Sequence, residues 1–314
     1  MSMNQLEQRL REVLTGEGAF LKTMEPMARH TTFRIGGPAL WYAAPSGEEE
    51  LRKLLSLCRE ENLIPRILGN GSDLLVSDEG CDGLVISMTE NFSYGVFEGT
   101  RLRAGAGLLL PKAASMALRK GCSGLEFASG IPGTVGGAAV MNAGAYGSEM
   151  KDVMVSMRVM DQDGRILVLK GDEMGFGYRK SCVDRMGYIV LEAEFALHRD
   201  EPAEIKRRME ELSARRREKQ PLEYPSAGST FKRPQGYFAG KLIQDAGFSG
   251  YRVGDAQVSE KHCGFVINRG NATAAQVMEL CRQIQKKILE QDGVKLELEV
   301  RRWGRFTEDN KGEA

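Results

Sequence analysis

Leu6, Leu10 and Leu14 recur every four residues near the start of the chain, among polar positions that include Glu7, Arg9, Arg11 and Glu12. That spacing gathers the leucines on one face and predicts a short amphipathic helix over 2–14. Ser46 followed by Glu49 has the form of a capping box, and Leu51, Leu54, Leu55 and Cys58 behind it make the apolar face of a second helix. The run 64–68 then reads as a strand. Short β-rich runs fill 83–107, and a helical pattern covers 110–120. Asp161-Gln162-Asp163-Gly164 lies between the runs 154–160 and 165–169 as the turn of a hairpin, and another strand is predicted over 188–197.

The texture shifts at about residue 200, which places a domain boundary there. A highly charged helix over 201–219 keeps Ile205, Met209 and Leu212 to one side. Its Arg215, Arg216 and Arg217 are interleaved with Glu204, Glu210, Glu211 and Glu218 and no aromatics accompany them, so they read as a solvated helix face rather than a nucleic-acid patch. A later helix over 272–291 buries Val277, Leu280, Ile284 and Ile288. The run 294–300 then alternates as a strand, with Val294, Leu296, Leu298 and Val300 on one face and Lys295, Glu297, Glu299 and Arg301 on the other. A polar tail from Thr307 is expected to be disordered.

Composition narrows the function classes. A chain of 314 residues, 42% of them hydrophobic, can bury more than one core, and two or three domains are expected. Lys plus Arg and Asp plus Glu both number 43, so no net field draws the protein to nucleic acid or to an anionic membrane. The charges in the first twenty residues exclude an apolar signal core, and no later window is apolar for long enough to span a bilayer. Six scattered cysteines without a C-x-x-C pair suit a reduced, cytoplasmic setting, and with only three histidines no metal site is expected. The expected partners are therefore small molecules, with no nucleic acid, no membrane and no obligate protein partner. The outlying number is 37 glycines, and they are clustered.

Two clusters carry candidate chemistry. Gly69-Asn70-Gly71-Ser72-Asp73 opens with G-x-G, yet Leu74-Leu75-Val76 continues as a strand-like run where a dinucleotide fingerprint would start a helix. Such a loop can still turn successive backbone N–H groups toward a diphosphate; a tight turn without ligand accounts for it equally well. The second cluster, from Ser129 to Gly147, holds six glycines at 130, 133, 136, 137, 144 and 147, with small alanines between them. Positive φ angles and missing side chains there favour a flat or phosphorylated ligand lying on the main chain over glycine-rich packing.

Taken together and in this order, the loops resemble the FAD-binding domain of the UDP-N-acetylenolpyruvoylglucosamine reductases, a branch of the vanillyl-alcohol-oxidase-like (PCMH-type) flavoproteins. His30-Thr31-Thr32-Phe33-Arg34-Ile35-Gly36-Gly37-Pro38 is similar to that family's opening segment, and Phe176-Gly177-Tyr178-Arg179-Lys180-Ser181 to its F-G-Y-R-x-S motif. Ala227-Gly228-Ser229-Thr230-Phe231-Lys232-Arg233-Pro234 resembles A-G-S-x-F-K-x-P, and Leu296-Glu297-Leu298-Glu299-Val300-Arg301 resembles L-E-x-E-V-R. The resemblance covers residues of about 30 to 303. Asp73 departs from it, because the family usually has asparagine there and an acid facing a diphosphate would repel it.

The resemblance implies an α+β fold: a helical lead (1–29), two FAD-binding subdomains (30–90 and 91–200), a C-terminal α+β substrate-binding domain (201–305) and a polar tail (306–314). It implies non-covalent FAD on Gly69, Asn70, Gly71, Ser72, Asp73, Ser129, Gly130, Gly133, Thr134, Gly137, Asn142, Gly144 and Ala145. The activity implied is NADPH-dependent reduction of UDP-N-acetylglucosamine enolpyruvate, a small UDP-sugar, to UDP-N-acetylmuramate for peptidoglycan synthesis. Arg179 is implied to hold the substrate carboxylate, Ser229 to donate a proton and Glu299 to polarise or relay. Tyr178 and Lys232 are implied substrate contacts, and His262 reads as structural. The short path from Arg233 to Phe248 implies the compact form, without an extra tyrosine-bearing loop. Rival readings are an FAD oxidase or dehydrogenase with another substrate, and a nucleotide-sugar-binding regulator; the trio Arg179, Ser229 and Glu299 weighs against both.

Overall fold

In the computed structural model, which describes residues 2–306, the chain divides into two compact units. The first runs up to Thr23 and then takes in Trp41–Asn70 and Gly83–Arg215; the second comprises Met24–Leu40, Gly71–Asp82 and the chain from Arg216 onward. The polar tail anticipated from Thr307 lies outside the described residues.

The first unit opens with the helix Met3–Val13, whose buried residues are Leu6 and Leu10, capped reciprocally by Ser2 and Gln5. Leu51, Leu54, Leu55 and Cys58 are buried on the helix Glu48–Glu60, as their spacing predicts. Its start differs from the sequence reading: the N-cap is Gly47 without a side-chain bond, and the Ser46 amide donates to Glu50 Oε2 at 2.7 Å. The strand Pro65–Leu68 follows and runs parallel to Cys81–Ser87, in a four-stranded sheet ordered Phe20–Pro26, Pro38–Ala44, Cys81–Ser87, Pro65–Leu68.

A five-stranded antiparallel sheet supports the glycine-rich segment. Its order is Ile166–Lys170, Met154–Met160, Ile189–Ala196, Arg101–Gly105, Gly95–Glu98. The hairpin read from Asp161 to Gly164 closes as expected, with the Asp161 carboxylate accepting the amides of Asp163 and Arg165 and Gly164 at φ 80°. Against Ile189–Ala196 packs a short helix, Val135–Met141, inside the glycine-rich segment.

In the second unit the helix Ala274–Asp292 buries Val277, Leu280, Cys281, Ile284 and Ile288. It packs on an antiparallel sheet ordered Ser226–Ser229, Phe265–Asn268, Ala256–Val258, Arg252–Val253. Two devices satisfy the first amides of the helix. Thr273 and Gln276 form a capping box, and the Asp78 carboxylate accepts from Ala274 and Ala275 at 2.7 and 2.9 Å.

The stretch 294–300 corrects the sequence reading. It keeps the alternation, with Leu296 and Val300 buried and Lys295 and Glu297 exposed, but it is not a ladder strand. One bridge, Phe231 with Leu298, ties it to its neighbour, and the strand proper is Arg301–Trp303, parallel to Leu74–Val76. Alternation reports which side is buried; a ladder also needs a partner along its whole length.

Among the described residues no helix is long and apolar enough to cross a membrane, and no three His, Cys, Asp or Glu side chains are grouped to hold a metal ion.

Candidate active site

Residues 69–73 connect the strands Pro65–Leu68 and Leu74–Val76 without a helix, so the dinucleotide fingerprint is absent, as its context predicts. Gly71 sits at φ 57°, and a Cβ there would stand 2.1 Å from the His30 carbonyl, so only glycine fits. The Asn70 amide reaches the other glycine segment, donating to the Pro132 carbonyl at 2.5 Å. Ser72 stays partly exposed beside them. Asp73 Oδ2 is buried and the Asp73 carbonyl accepts from the Arg301 amide at 3.0 Å, so one carboxylate oxygen is turned into the protein.

In the second segment, Ser129 donates its hydroxyl to the Glu126 carbonyl, and Thr134 caps the helix Val135–Met141 by accepting from the Gly137 amide at 3.3 Å. The sequence reading missed this helix and expected positive φ angles that its glycines do not have. Of the six glycines only Gly147 has positive φ. Gly136 is small because its Cβ would meet Ala106 Cβ at 2.9 Å, and Gly144 because Ser148 and Glu149 press on it. Close approach of protein to protein thus explains part of the cluster. Gly130, Gly133, Gly137, Gly144 and Ala145 keep partial or full exposure, so main chain free of large side chains is accessible along this segment. Asn142 is different. Its side chain is 1% exposed and bonded to Glu149, to the Gly177 carbonyl and to the Lys151 amide, so its amide group is engaged by protein.

Under this segment lies Glu126, which accepts from the Ser123 hydroxyl, the Gly124 amide and Arg208. Burial pushes its carboxyl upward, and these hydrogen bonds outweigh burial and hold it below its ordinary range. Arg208 comes from the charged helix Pro202–Lys219 and ties it to Glu126 and Asp200, beside the buried Ile205 of the same helix.

Arg179 belongs to the first unit, at the tip of a two-residue turn. The Gly177 amide donates to the Lys180 carbonyl at 3.0 Å and the Lys180 amide to the Gly177 carbonyl at 3.2 Å, leaving Tyr178 and Arg179 as the central pair. Arg179 has φ 53°, the left-handed region where glycine or asparagine is ordinary. Its guanidinium carbon stands 5.4 Å from the centre of the exposed Tyr178 ring.

Ser229, Lys232 and Glu299 belong to the second unit. The segment 226–229 is a strand, and its register slips between Ser226 and Ser229 at left-handed Gly228. A bulge of this kind re-aims the side chain that follows it. Glu299 lies on the neighbouring segment, its amide donating to the Thr230 carbonyl at 2.9 Å. Lys232 pairs its ammonium with Glu297 at 3.2 Å. His262 accepts the Gly264 amide on Nδ1 and burial lowers its pKa, which makes it the neutral structural residue the sequence suggested.

Comparison with known proteins fits this layout. Residues 39–170 match the model of the FAD binding domain family, and residues 220–303 match that of the UDP-N-acetylenolpyruvoylglucosamine reductase, C-terminal domain. The reductase of Agathobacter rectalis is 53% identical over 90% of this chain and 93% of its own, and that of Caldanaerobacter subterraneus is 51% identical over 94% and 97%. The chain belongs to the UDP-N-acetylenolpyruvoylglucosamine reductase family. The crystal structure of the family member from Thermus caldophilus, 39% identical, superposes with a TM-score of 0.78 and covers 91% of this chain and 99% of its own. The reductase fold is thus an FAD-binding domain followed by the family's own C-terminal domain, α+β throughout, and its cofactor is FAD. Sequence reasoning about the reductase site missed Glu126 and the Asn142 bonds. The only signal for the latter was an asparagine ending a run of small residues, the usual mark of a left-handed helix cap.

Proposed function

We propose that the protein reduces UDP-N-acetylglucosamine enolpyruvate to UDP-N-acetylmuramate, a step of peptidoglycan precursor synthesis in the cytoplasm, with NADPH as reductant. FAD, when bound on Gly69 to Asp73 and Ser129 to Ala145, supplies the hydride-carrying chemistry between the two substrates. The alkene gains a hydride on its terminal carbon and a proton on the carbon bearing the carboxylate, and NADPH leaves as NADP+.

Arg179 holds the carboxylate toward which charge is pushed during hydride addition, a task suited to a guanidinium that binds two oxygens at once and keeps its proton. Ser229 gives the proton to the adjacent carbon, and Glu299 polarises the developing enolate or relays the proton. Tyr178 and Lys232 are the remaining substrate contacts. The observation that supports this reading best is the backbone of Arg179: an arginine kept at φ 53° is a strained choice for a turn unless its side chain is needed.

The test is anaerobic. The yellow protein is expected to bleach with NADPH and regain its colour with the enolpyruvyl sugar nucleotide. Bleaching without recolouring would remove the substrate assignment and leave a flavoenzyme with another oxidant.

A further inference from the structure

Both flanks of the turn that carries Arg179 are tied to one end of the helix Val135–Met141. On the near flank, Asn142 Nδ2 donates to the Gly177 carbonyl at 3.2 Å and to Glu149 Oε2 at 2.8 Å, while Asn142 Oδ1 accepts the Lys151 amide at 3.0 Å. On the far flank, the Ser181 hydroxyl donates to the Val140 carbonyl at 3.0 Å and accepts from the Val183 amide. Asn142 and Ser181 are 1% and 5% exposed, so the two side chains that make these bonds are themselves buried. The Gly177 carbonyl also closes the turn by accepting from Lys180, so a shift of Gly177 is a shift of the turn itself.

We propose that Asn142 and Ser181 are positioning residues that clamp the 177–180 turn and so fix Arg179 on the carboxylate of the substrate. The inference rests on the reading of Arg179 given above. The clamp has a physical purpose. A two-residue turn with a non-glycine residue in the left-handed region does not hold itself, because the open chain relieves about 1–2 kcal/mol of backbone strain. Two side-chain bonds from a rigid neighbour offset that tendency, and the carboxylate grip tolerates little drift, since displacement of about 1 Å at such a contact costs on the order of a hundredfold in rate. Because the same helix belongs to the glycine-rich segment, the clamp also references Arg179 to the backbone on which the cofactor lies.

The variant Asn142→Gly isolates the side chain, because Asn142 has φ 42° and glycine takes that conformation without strain. Three quantities are read for Asn142→Gly, Arg179→Gly and the double variant: reoxidation of the reduced enzyme by the enolpyruvyl substrate, affinity of the oxidised enzyme for that substrate, and hydrogen exchange of the Gly177 and Lys180 amides. Asn142→Gly is expected to slow reoxidation and weaken binding by on the order of tenfold to a hundredfold, and to speed exchange of both amides. In the Arg179→Gly background the same substitution is expected to change reoxidation less than about twofold. A full effect in that background overturns the clamp alone. An Arg179→Gly enzyme that reoxidises normally overturns the role of Arg179 and the clamp with it. Ser181→Ala, which removes the other tie, is expected to lose its effect in the Arg179→Gly background in the same way; an additive effect there would also count against the clamp.

Discussion

Thr134 Oγ1 occupies the place that a side chain on Gly69 would need: a Cβ at residue 69 would lie 2.4 Å from it. The same oxygen accepts the Gly137 amide and caps the helix Val135–Met141, so two glycine-rich segments meet at one hydroxyl. Gly69→Ala is therefore expected to displace Thr134, loosen the cap and lower FAD retention by about fivefold, a cap being worth about 1 kcal/mol. Flavin content after dialysis checks it. Thr134→Ala removes the same cap outright and is expected to show a loss of similar size by itself, with little added when it is combined with Gly69→Ala. Losses that add in the double variant would show that Gly69→Ala acts other than through this cap.

Substitution of Arg179 is expected to separate stability from activity. Arg179→Gly relieves the left-handed backbone and is expected to leave the melting temperature unchanged or slightly raised, while reoxidation by the enolpyruvyl substrate falls on the order of a hundredfold to a thousandfold. A drop of several degrees in the melting temperature would mean that the guanidinium holds the fold together instead.

Ser229 follows a bulge on the strand Ser226–Ser229, beside the segment that carries Glu299. Ser229→Ala is expected to concentrate its loss in the half-reaction that needs a proton, with reoxidation slowed by about a hundredfold or more. Stopped-flow measurement of flavin reduction by NADPH and of reoxidation separates the two. Equal losses in both half-reactions would make Ser229 a packing residue.

Much of this fold was legible because one-sided burial writes a period into the sequence. Leu6 and Leu10, or Val277 through Ile288, recur at helical spacing since only one face of each helix meets a core. The helix Val135–Met141 left no such trace: at seven residues with two glycines it is buried on most sides and has no apolar stripe to read. Residues 294–300 show the opposite failure, with a clear alternation but only one bridge to a neighbour. The positive φ of Arg179 had no sequence signal at all, because arginine is not a residue that announces a left-handed turn. Ties between distant positions were equally silent, as with Glu126 and Arg208, 82 residues apart.

Those silent ties are expected to contribute to the response to acid. Glu50 accepts from the Ser46, Gly16 and Thr15 amides, and Glu126 from Ser123, Gly124 and Arg208. In both, burial raises the pKa, the hydrogen bonds outweigh it, and the net position is below the ordinary value of 4.5. A folded-state pKa below the unfolded one means that the unfolded chain binds more protons in the window between them, so stability rises with pH there. The stabilisation is complete above about pH 5 and drains away as pH falls through 4.5 toward the folded values. Melting temperatures from pH 6 to pH 3 are expected to fall with an acid slope that Glu126→Gln makes shallower, because the amide has no proton to take up. The variant should also be less stable than the native chain at pH 6, where it lacks the charged acceptor for Arg208 and Gly124. If its acid slope matched that of the native chain, protonation of Glu126 would have no part in acid unfolding.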